Sequence, residues 1–188
     1  MLPQNSHHIS MNKNNKIQKI VNIPISLFES IEGKYFVGQT NQLLVSNELN
    51  GWASLINPCN SKTNLYANVF TISNYSASDS LIAEIWLNTN SQEKWSISNK
   101  VSPTNTALNP LPKNKVDIGF VKSTSELPES GVNVYKRIVP PNTTLVGEED
   151  GKFIEAPGGN YVIIIKSSSS NPIKVIVAFG WWEKRVCY

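Results

Sequence analysis

Residues 161–184 read YVIIIKSSSSNPIKVIVAFGWWEK, two strongly apolar runs with a serine-rich turn between them. In the second run every other residue is apolar, which is the period of a strand with one buried face: Ile173, Val175, Val177, Phe179 and Trp181. Serine and asparagine clusters between such runs are typical of turns. We therefore expect a β-hairpin made of Tyr161–Lys166 and Ile173–Lys184.

The rest of the chain repeats this pattern. Asn64–Ser73 and Leu81–Asn88 predict a second hairpin, joined by the polar loop Asn74–Ser80. About eight to ten such short runs follow Gly33, and isolated hairpins need a second sheet to cover them. The sequence thus predicts an all-β fold, an antiparallel β-sandwich that is jelly-roll-like. The proline-interrupted stretch Gln92–Pro112 is expected to be an extended loop.

Composition agrees with a turn-rich β protein. Only 16% of the 188 residues are charged, against roughly 25% in an average soluble protein. Polarity comes instead from 23 Asn and 22 Ser, which favour turns because they hydrogen-bond their own backbone. This length fits one sandwich and an appendage, so we expect an N-terminal arm over 1–33 and a sandwich domain over 34–188.

The arm carries the clearest candidate for an interaction element. Residues 1–19 are polar and without periodicity, which indicates a flexible, extended segment. Beyond them the apolar residues alternate with polar residues or proline, which predicts an edge strand that adds to another sheet: Val21, Ile23, Ile25 and Leu27. Ser26 and Glu29 have capping-box spacing, so a helical turn over Leu27–Glu32 competes with the end of this strand.

Charge and hydropathy exclude several classes of partner. The net charge of +3 is spread along the chain, whereas nucleic-acid binding usually needs a concentrated basic face, so no nucleic-acid partner is expected. Lys19, Asn22 and Pro24 interrupt the apolar segment Ile17–Phe28, which is too short for a membrane span. The first 16 residues lack a signal-peptide core, so we expect synthesis in the cytoplasm without a signal peptide.

Catalytic residues are scarce. The two histidines, His7 and His8, lie in the arm, which argues against histidine catalysis. Glu84 is the one carboxylate well inside a strong strand, and we interpret it as structural, paired with Lys or a hydroxyl across strands, rather than as a hydrolase residue. Glu148–Gly151 predicts a solvated acidic turn. We expect no enzymatic activity, no cofactor and no metal site.

Cysteines and tryptophans leave alternatives open. Cys59 and Cys187 are interpreted as free thiols or as a disulfide, within the chain or between subunits. Trp181 and Trp182 are consecutive in a strand, so they point to opposite faces, one toward the core and the other exposed or covered by a neighbour. Trp95, Trp181 and Trp182 are therefore the candidate interface aromatics.

Several segments are similar to an uncharacterised β-sandwich domain family of spore-forming Gram-positive bacteria. They span residues 34–184 and are Tyr35-Phe-Val-Gly-Gln-Thr40, Asn64-Leu-Tyr-Ala-Asn-Val-Phe-Thr-Ile-Ser-Asn74, Ala83-Glu-Ile-Trp-Leu-Asn88 and Pro157-Gly-Gly-Asn-Tyr161. More remotely, an arm before a small sandwich resembles the jelly-roll subunits of endospore appendages, which implies assembly through an N-terminal connector. Appendage connectors carry cysteines, whereas this arm has none.

These observations favour a non-enzymatic structural subunit. We expect it to form a homo-oligomer or polymer, as a spore-surface or fibre-like assembly, through strand addition by its arm and sheet edges. The alternative is a carbohydrate- or surface-binding module of a phage or spore coat, with Trp182 or Trp95 as a platform for a glycan.

Overall fold

The computed structural model describes residues 9–11, 17–90 and 94–186. This part of the chain is almost entirely β-structure and contains one short helix, α1 (Ile25–Ile31). Its strands are β1 (Ile9–Met11), β2 (Ile17–Lys19), β3 (Tyr35–Gln39), β4 (Leu43–Val45), β5 (Asn50–Ile56), β6 (Thr63–Asn74), β7 (Leu81–Leu87), β8 (Ser96–Ile97), β9 (Val101–Pro103), β10 (Asp117–Thr124), β11 (Val132–Val139), β12 (Thr143–Glu155), β13 (Asn160–Ser167) and β14 (Ile173–Arg185).

Two antiparallel sheets pack face to face, which confirms the predicted sandwich. One sheet has the order β12-β6-β14-β3-β9, with β4 also paired to β14, and we call it the β14 sheet. The other has the order β11-β7-β13-β5-β10-β8, and we call it the β13 sheet. β1 and β2 form a separate two-stranded sheet.

The strand pairs are nested in the manner of a jelly roll. The first long strand pairs with the last, β3 with β14, and working inward β5 pairs with β13, β6 with β12 and β7 with β11. Strands β8, β9 and β10 form an insertion between β7 and β11, and they widen both sheets beside β3 and β5.

Both predicted hairpins are wrong, although their strands exist. β6 lies in the β14 sheet and β7 in the β13 sheet, and β13 and β14 are likewise in different sheets. The loops 75–80 and 168–172 therefore cross from one sheet to the other. The physical reason is that alternation specifies which face of a strand is buried but not which strand lies beside it. Two consecutive strands point their apolar faces at one core whether they pair in one sheet or lie in opposite sheets.

The core lies between the two sheets and draws its side chains from both. Trp181, Phe70, Tyr161, Ile85 and Ile163 are each at most 1% exposed. A smaller cluster lies on the outer face of the β13 sheet, where Trp95 and Trp86 pack against four buried side chains: Trp52, Val121, Val162 and Ile164.

The predicted edge strand over Val21–Leu27 is also wrong. Residues 20–24 have no regular structure, and α1 begins at Ile25, so the helical alternative is the one adopted. Pro24 occupies the N-cap position and no side chain caps it, so Ser26 lies inside the helix instead of forming a capping box. Pro24 is well placed there, because it has no N–H to leave unpaired at a helix start.

Two loop predictions also differ from the structure. The segment predicted as an extended loop contains β8 and β9, which pair with β10 and β3. The acidic segment Glu148–Gly151 is not a solvated turn but a bulge within β12, between Glu148 and Phe153 in the pairing with β6. Glu149 follows the alternation of β12 and points inward, where it is 3% exposed.

Candidate interaction surface

Helix α1 buries its polar face and exposes its apolar face. At about 100° per residue, Ser26, Glu29 and Ser30 share one side of the helix, and this side faces the protein. Glu29 is 1% exposed, whereas the apolar side chains on the opposite side are between 44% and 53% exposed: Ile25, Leu27, Phe28 and Ile31. Amphipathic helices in globular proteins ordinarily have the reverse orientation.

Specific polar contacts hold the helix in this orientation. The Glu29 carboxylate lies 2.7 Å from Nζ of Lys184, on the last strand of the β14 sheet. The hydroxyls of Ser30 and Thr104 share a hydrogen bond of 2.7 Å, and Asn105 Nδ2 donates to the carbonyl of Ile31 at 3.2 Å. The apolar side chains are therefore directed outward by contacts on the other face.

The exposed apolar surface continues into the segment before the helix. Ile20, Val21 and Ile23 are 38%, 62% and 41% exposed. All four residues predicted as the assembly arm, Val21, Ile23, Ile25 and Leu27, thus lie on this surface, although not as a strand. We call the exposed apolar side chains of residues 20–31 the arm face.

A second apolar surface lies on the outer face of the β14 sheet, along β14 itself. Small residues of the central strand, Gly180 and Ala178, lie opposite larger ones on both neighbouring strands: Gly180 faces Val37 and Val69, and Ala178 faces Gln39 and Thr71. An open groove of about 640 Å³ lies along these residues, and Lys100 and Val101 also line it. We call this the β14 groove.

An aromatic cluster lies on the same face of the sheet, and its Tyr35 hydroxyl lies next to Gly180. Trp182 stacks between Tyr66, at a centroid distance of 5.4 Å, and Tyr35, at 6.3 Å. Nζ of Lys184 lies 5.6 Å from the Tyr66 ring centre. Gly151, with φ of +71°, covers the Trp182 ring so closely that a Cβ there would lie 2.0 Å from it.

Of the three tryptophans predicted as interface aromatics, none stands free on the surface. Trp181 packs in the core beside Phe36, with ring centroids 5.9 Å apart. Trp182 does point to the opposite face, as predicted, but its own neighbours cover it and it is 3% exposed. Trp95 is half-buried and lies 5.9 Å from the buried ring of Trp52.

Glu84 lies in an ion cluster on the outer face of the β13 sheet. Its carboxylate is 2.9 Å from Nζ of Lys166 and 3.1 Å from Nζ of Lys136, both on adjacent strands. Trp86 Nε1 donates to it at 3.2 Å. Burial by itself raises the pKa of Glu84, but hydrogen bonds from Lys166, Lys136 and Trp86 bring it below its usual value. This carboxylate is therefore an ionised cross-strand partner.

Other buried carboxylates have raised pKa values. Burial raises the pKa of Glu155 to about 7, against a lowering hydrogen bond from Asn88. Burial raises the pKa of Glu183 as well, although the backbone N–H groups of Lys115 and Val116 and the Trp181 indole donate to it. The hydrogen bonds of these two carboxyl groups connect strands with loops inside the sandwich.

Glu149 belongs to a third buried polar cluster. Burial raises its pKa, and its carboxylate lies 3.8 Å from Nη2 of Arg137. The hydroxyl of Tyr161 donates to the same oxygen at 3.4 Å, and burial raises the pKa of this phenol too. Sequence reasoning missed Glu149, because Glu148–Gly151 was interpreted as a turn and not as part of the alternating strand β12.

Cysteines and candidate metal ligands add no site in the described part of the chain. Cys59 is exposed and free, whereas Cys187, His7 and His8 lie outside the described residues, so the disulfide stays a prediction. Within residues 9–11, 17–90 and 94–186 no three His, Cys, Asp or Glu side chains come together as a metal site. The seven-residue helix α1 is too short to cross a bilayer.

Comparison with known proteins gives one match. The model of a family described as a family of unknown function (DUF6143) matches residues 6–188. No curated protein matches the chain, and no solved structure does. The geometry above is therefore the basis for any functional argument.

Proposed function

The chain belongs to the family of unknown function DUF6143, and from its geometry we propose that it is a non-enzymatic structural subunit that self-assembles through its N-terminal segment. The single observation that carries this proposal is the inverted orientation of α1. A helix that buries Glu29 and leaves Phe28 and Ile31 about half exposed forgoes about half of the roughly 1.5–3 kcal/mol that full burial of each side chain would contribute. A second subunit that covers the arm face would recover that free energy.

Two of the four edge strands of the sandwich, β12 and β11, support assembly through the arm face more than through strand addition. The edge strand β12 is interrupted by a bulge and carries Glu148, Asp150 and Lys152, and the edge strand β11 carries Lys136 and Arg137. Charges and bulges on an edge strand discourage pairing with another chain. We therefore assign the contact to the helix and the segment before it.

The proposed setting is a spore-surface or fibre-like assembly, reached after cytoplasmic synthesis. It rests on the similarity of the chain to proteins of spore-forming Gram-positive bacteria and on the remote resemblance to endospore-appendage subunits. The jelly-roll topology is compatible with that resemblance, and jelly rolls serve many functions.

The test compares the mass of the full-length protein with that of an arm-face variant. Light scattering after size exclusion, with negative-stain microscopy, should show oligomers of the wild-type chain whose mass rises with concentration. The double substitution Phe28→Asp and Ile31→Asp should yield monomers, because it places two charges in the proposed contact.

A control is Ile138→Asp, which changes a more exposed apolar side chain (66%, against 44% for Phe28 and 53% for Ile31) on the outer face of the β13 sheet. It should assemble like wild type. Wild-type protein that stays strictly monomeric at high concentration would overturn the proposal.

The alternative proposal is a carbohydrate- or surface-binding module with Trp182 or Trp95 as its platform, and only one of these two residues is accessible. Trp182 is covered by Tyr66, Tyr35 and Gly151, which leaves Trp95. A glycan array discriminates between the two proposals, because a Trp95-dependent ligand would favour the module.

A further inference from the structure

We propose that an open cleft at one end of the sandwich is a binding site for a small multivalent oxyanion, a diphosphate group. The cleft has a volume of about 590 Å³, which is in the size range of small-molecule sites. Three cations, an amide and two hydroxyls line it: Asn60, Ser61, Lys62, Thr63, Lys115 and Arg185. None of these residues belongs to the arm face, so the inference goes beyond the proposed self-assembly and does not depend on it.

Three separate segments bring the cations to this cleft. Lys62 ends the loop before β6, Lys115 lies in the loop before β10, and Arg185 is the last residue of β14. Arg185 pairs with Thr63 in the register of β14 and β6. The N–H of Val186 donates to the carbonyl of Lys62 at 3.1 Å. The backbones of Lys62 and Arg185 are therefore adjacent, although 122 positions separate them in the sequence.

Hydrogen bonds fix the backbone of both loops. The carboxylate of Glu183, 6% exposed, accepts from the N–H of Lys115 at 2.9 and 3.0 Å. In the loop before β6, the N–H of Thr63 donates to Ser61 Oγ at 3.3 Å, and Thr63 Oγ1 donates to the carbonyl of Ser61 at 3.0 Å. A site whose backbone is already ordered loses less conformational entropy when a ligand binds.

The backbone conformation of Lys62 is unusual for a lysine. Its φ of +56° lies in the left-handed region, where asparagine and aspartate are enriched among non-glycine residues. The other non-glycine residues with positive φ in the described part of the chain follow that preference: Asn88, Asn142 and Asp150. Unfavourable backbone conformations of this kind cluster at ligand-binding sites, so the exception at Lys62 favours a role for its charge.

The three cations have no carboxylate partner among the residues that the structure describes. The ion pairs in residues 9–11, 17–90 and 94–186 do not include Lys62, Lys115 or Arg185. Glu183 contacts the backbone of Lys115, but its oxygens accept from backbone and indole N–H groups and not from a cationic side chain. Three uncompensated positive charges around one cleft attract an anion from solution.

The donor set favours an oxyanion with more than one charged group. The Arg185 guanidinium can bind two oxygens of one phosphoryl group, and the ammonium groups of Lys62 and Lys115 act as point charges for further oxygens. The Asn60 side chain adds an amide donor. No described residue that lines the cleft is aromatic or aliphatic, so the anionic group itself is the part of the ligand that the cleft recognises.

Calorimetric titration of the full-length protein with sodium diphosphate at constant ionic strength tests this site. Wild type should bind the anion saturably, and more tightly than inorganic phosphate. Arg185→Gln and Lys62→Asn should each weaken binding at least about tenfold, because each removes a charged donor. Asparagine tolerates the left-handed conformation, so Lys62→Asn should keep the fold, and thermal unfolding without ligand verifies this for both variants.

The matched control is Lys174→Gln, which removes one exposed positive charge near the opposite end of β14. This variant should bind diphosphate like wild type, as should the double arm-face variant Phe28→Asp and Ile31→Asp. Equal weakening in Lys174→Gln would show that only net charge attracts the anion, and a wild type without saturable binding would also overturn the site.

A DNA oligonucleotide serves as the competing ligand. If it binds more tightly than diphosphate, with the same dependence on Arg185, the assignment to a small oxyanion is wrong. Inorganic phosphate that binds as tightly as diphosphate would overturn the preference for a multivalent anion. These outcomes leave self-assembly untouched, because the mass of the protein in solution tests it separately.

Discussion

Buried asparagines hold the connections that cross between the sheets. Asn74 is 3% exposed, and its Nδ2 donates to the carbonyls of Asp79, Val139 and Pro140 at 2.9–3.2 Å. Its Oδ1 accepts from the N–H of Ser76. One side chain thus satisfies the backbone of two crossing loops, 75–80 and 140–142, which explains part of the high asparagine content.

The substitution Asn74→Ala should lower the free energy of unfolding by about 2–3 kcal/mol, because it leaves buried carbonyls without a donor. Urea denaturation followed by tryptophan fluorescence measures the change. Asn47→Ala, at an exposed position, is the matched control and should have little effect. Equal stability of the two variants would contradict the role assigned to Asn74.

At the scale of elements, α1 is fixed by polar contacts and not by an apolar interface. Its buried ion pair joins Glu29, 1% exposed, to Lys184, whose side chain is 41% exposed. When the Glu29 carboxylate is removed, water can solvate the Lys184 ammonium group. The loss of stability is therefore smaller than that from breaking a fully buried ion pair.

The substitution Glu29→Gln should therefore destabilise the helix locally, by about 1–2 kcal/mol of opening free energy. Hydrogen exchange of the α1 amides should become faster while the amides of β13 and β14 keep their protection. Glu32→Gln removes the exposed pair with Lys34 and should leave exchange unchanged. If both variants exchange alike, the Glu29 contact does not anchor the helix.

Secondary structure was more predictable than strand neighbours. Alternation in Ile173–Trp181 and Leu81–Leu87 located β14 and β7 and placed Trp181 and Trp182 on opposite faces. It did not reveal that Trp182 is covered, because Tyr66, Tyr35 and Gly151 come from three other segments. Val21, Ile23, Ile25 and Leu27 were predicted as a strand, but the period of Ile25, Phe28 and Ile31 is helical, and the alternation before it outweighed this signal.

At the scale of the whole molecule, buried carboxylates make stability depend on pH. The pKa values of Glu149, Glu155, Glu183 and Asp117 are raised by burial, whereas that of Glu84 is lowered. A carboxyl with a raised pKa in the folded state contributes stability at low pH. This contribution is lost as pH rises from the pKa of the unfolded state, about 4.5 for glutamate and 3.8 for aspartate, to the pKa of the folded state.

For Glu155 that window extends from pH 4.5 to about 7. We expect the free energy of unfolding to decrease less across this window in Glu155→Gln than in wild type, because glutamine does not titrate. Denaturation at a series of pH values measures how steeply the free energy of unfolding changes with pH in wild type and in Glu155→Gln. Glu48→Gln, at an exposed position, should retain the wild-type slope, and an unchanged slope in Glu155→Gln would show that Glu155 titrates normally.

The nested strand pairing has a consequence for biosynthesis. β14 is the central strand of its sheet, and it pairs with β3, β4 and β6, which precede it by about a hundred residues or more. While the ribosome is still making β13, these earlier strands lack their main partner. Folding is therefore expected to await the synthesis of β14 and to proceed slowly, as in other proteins of high contact order. During this interval the unpaired strands are accessible to a chaperone.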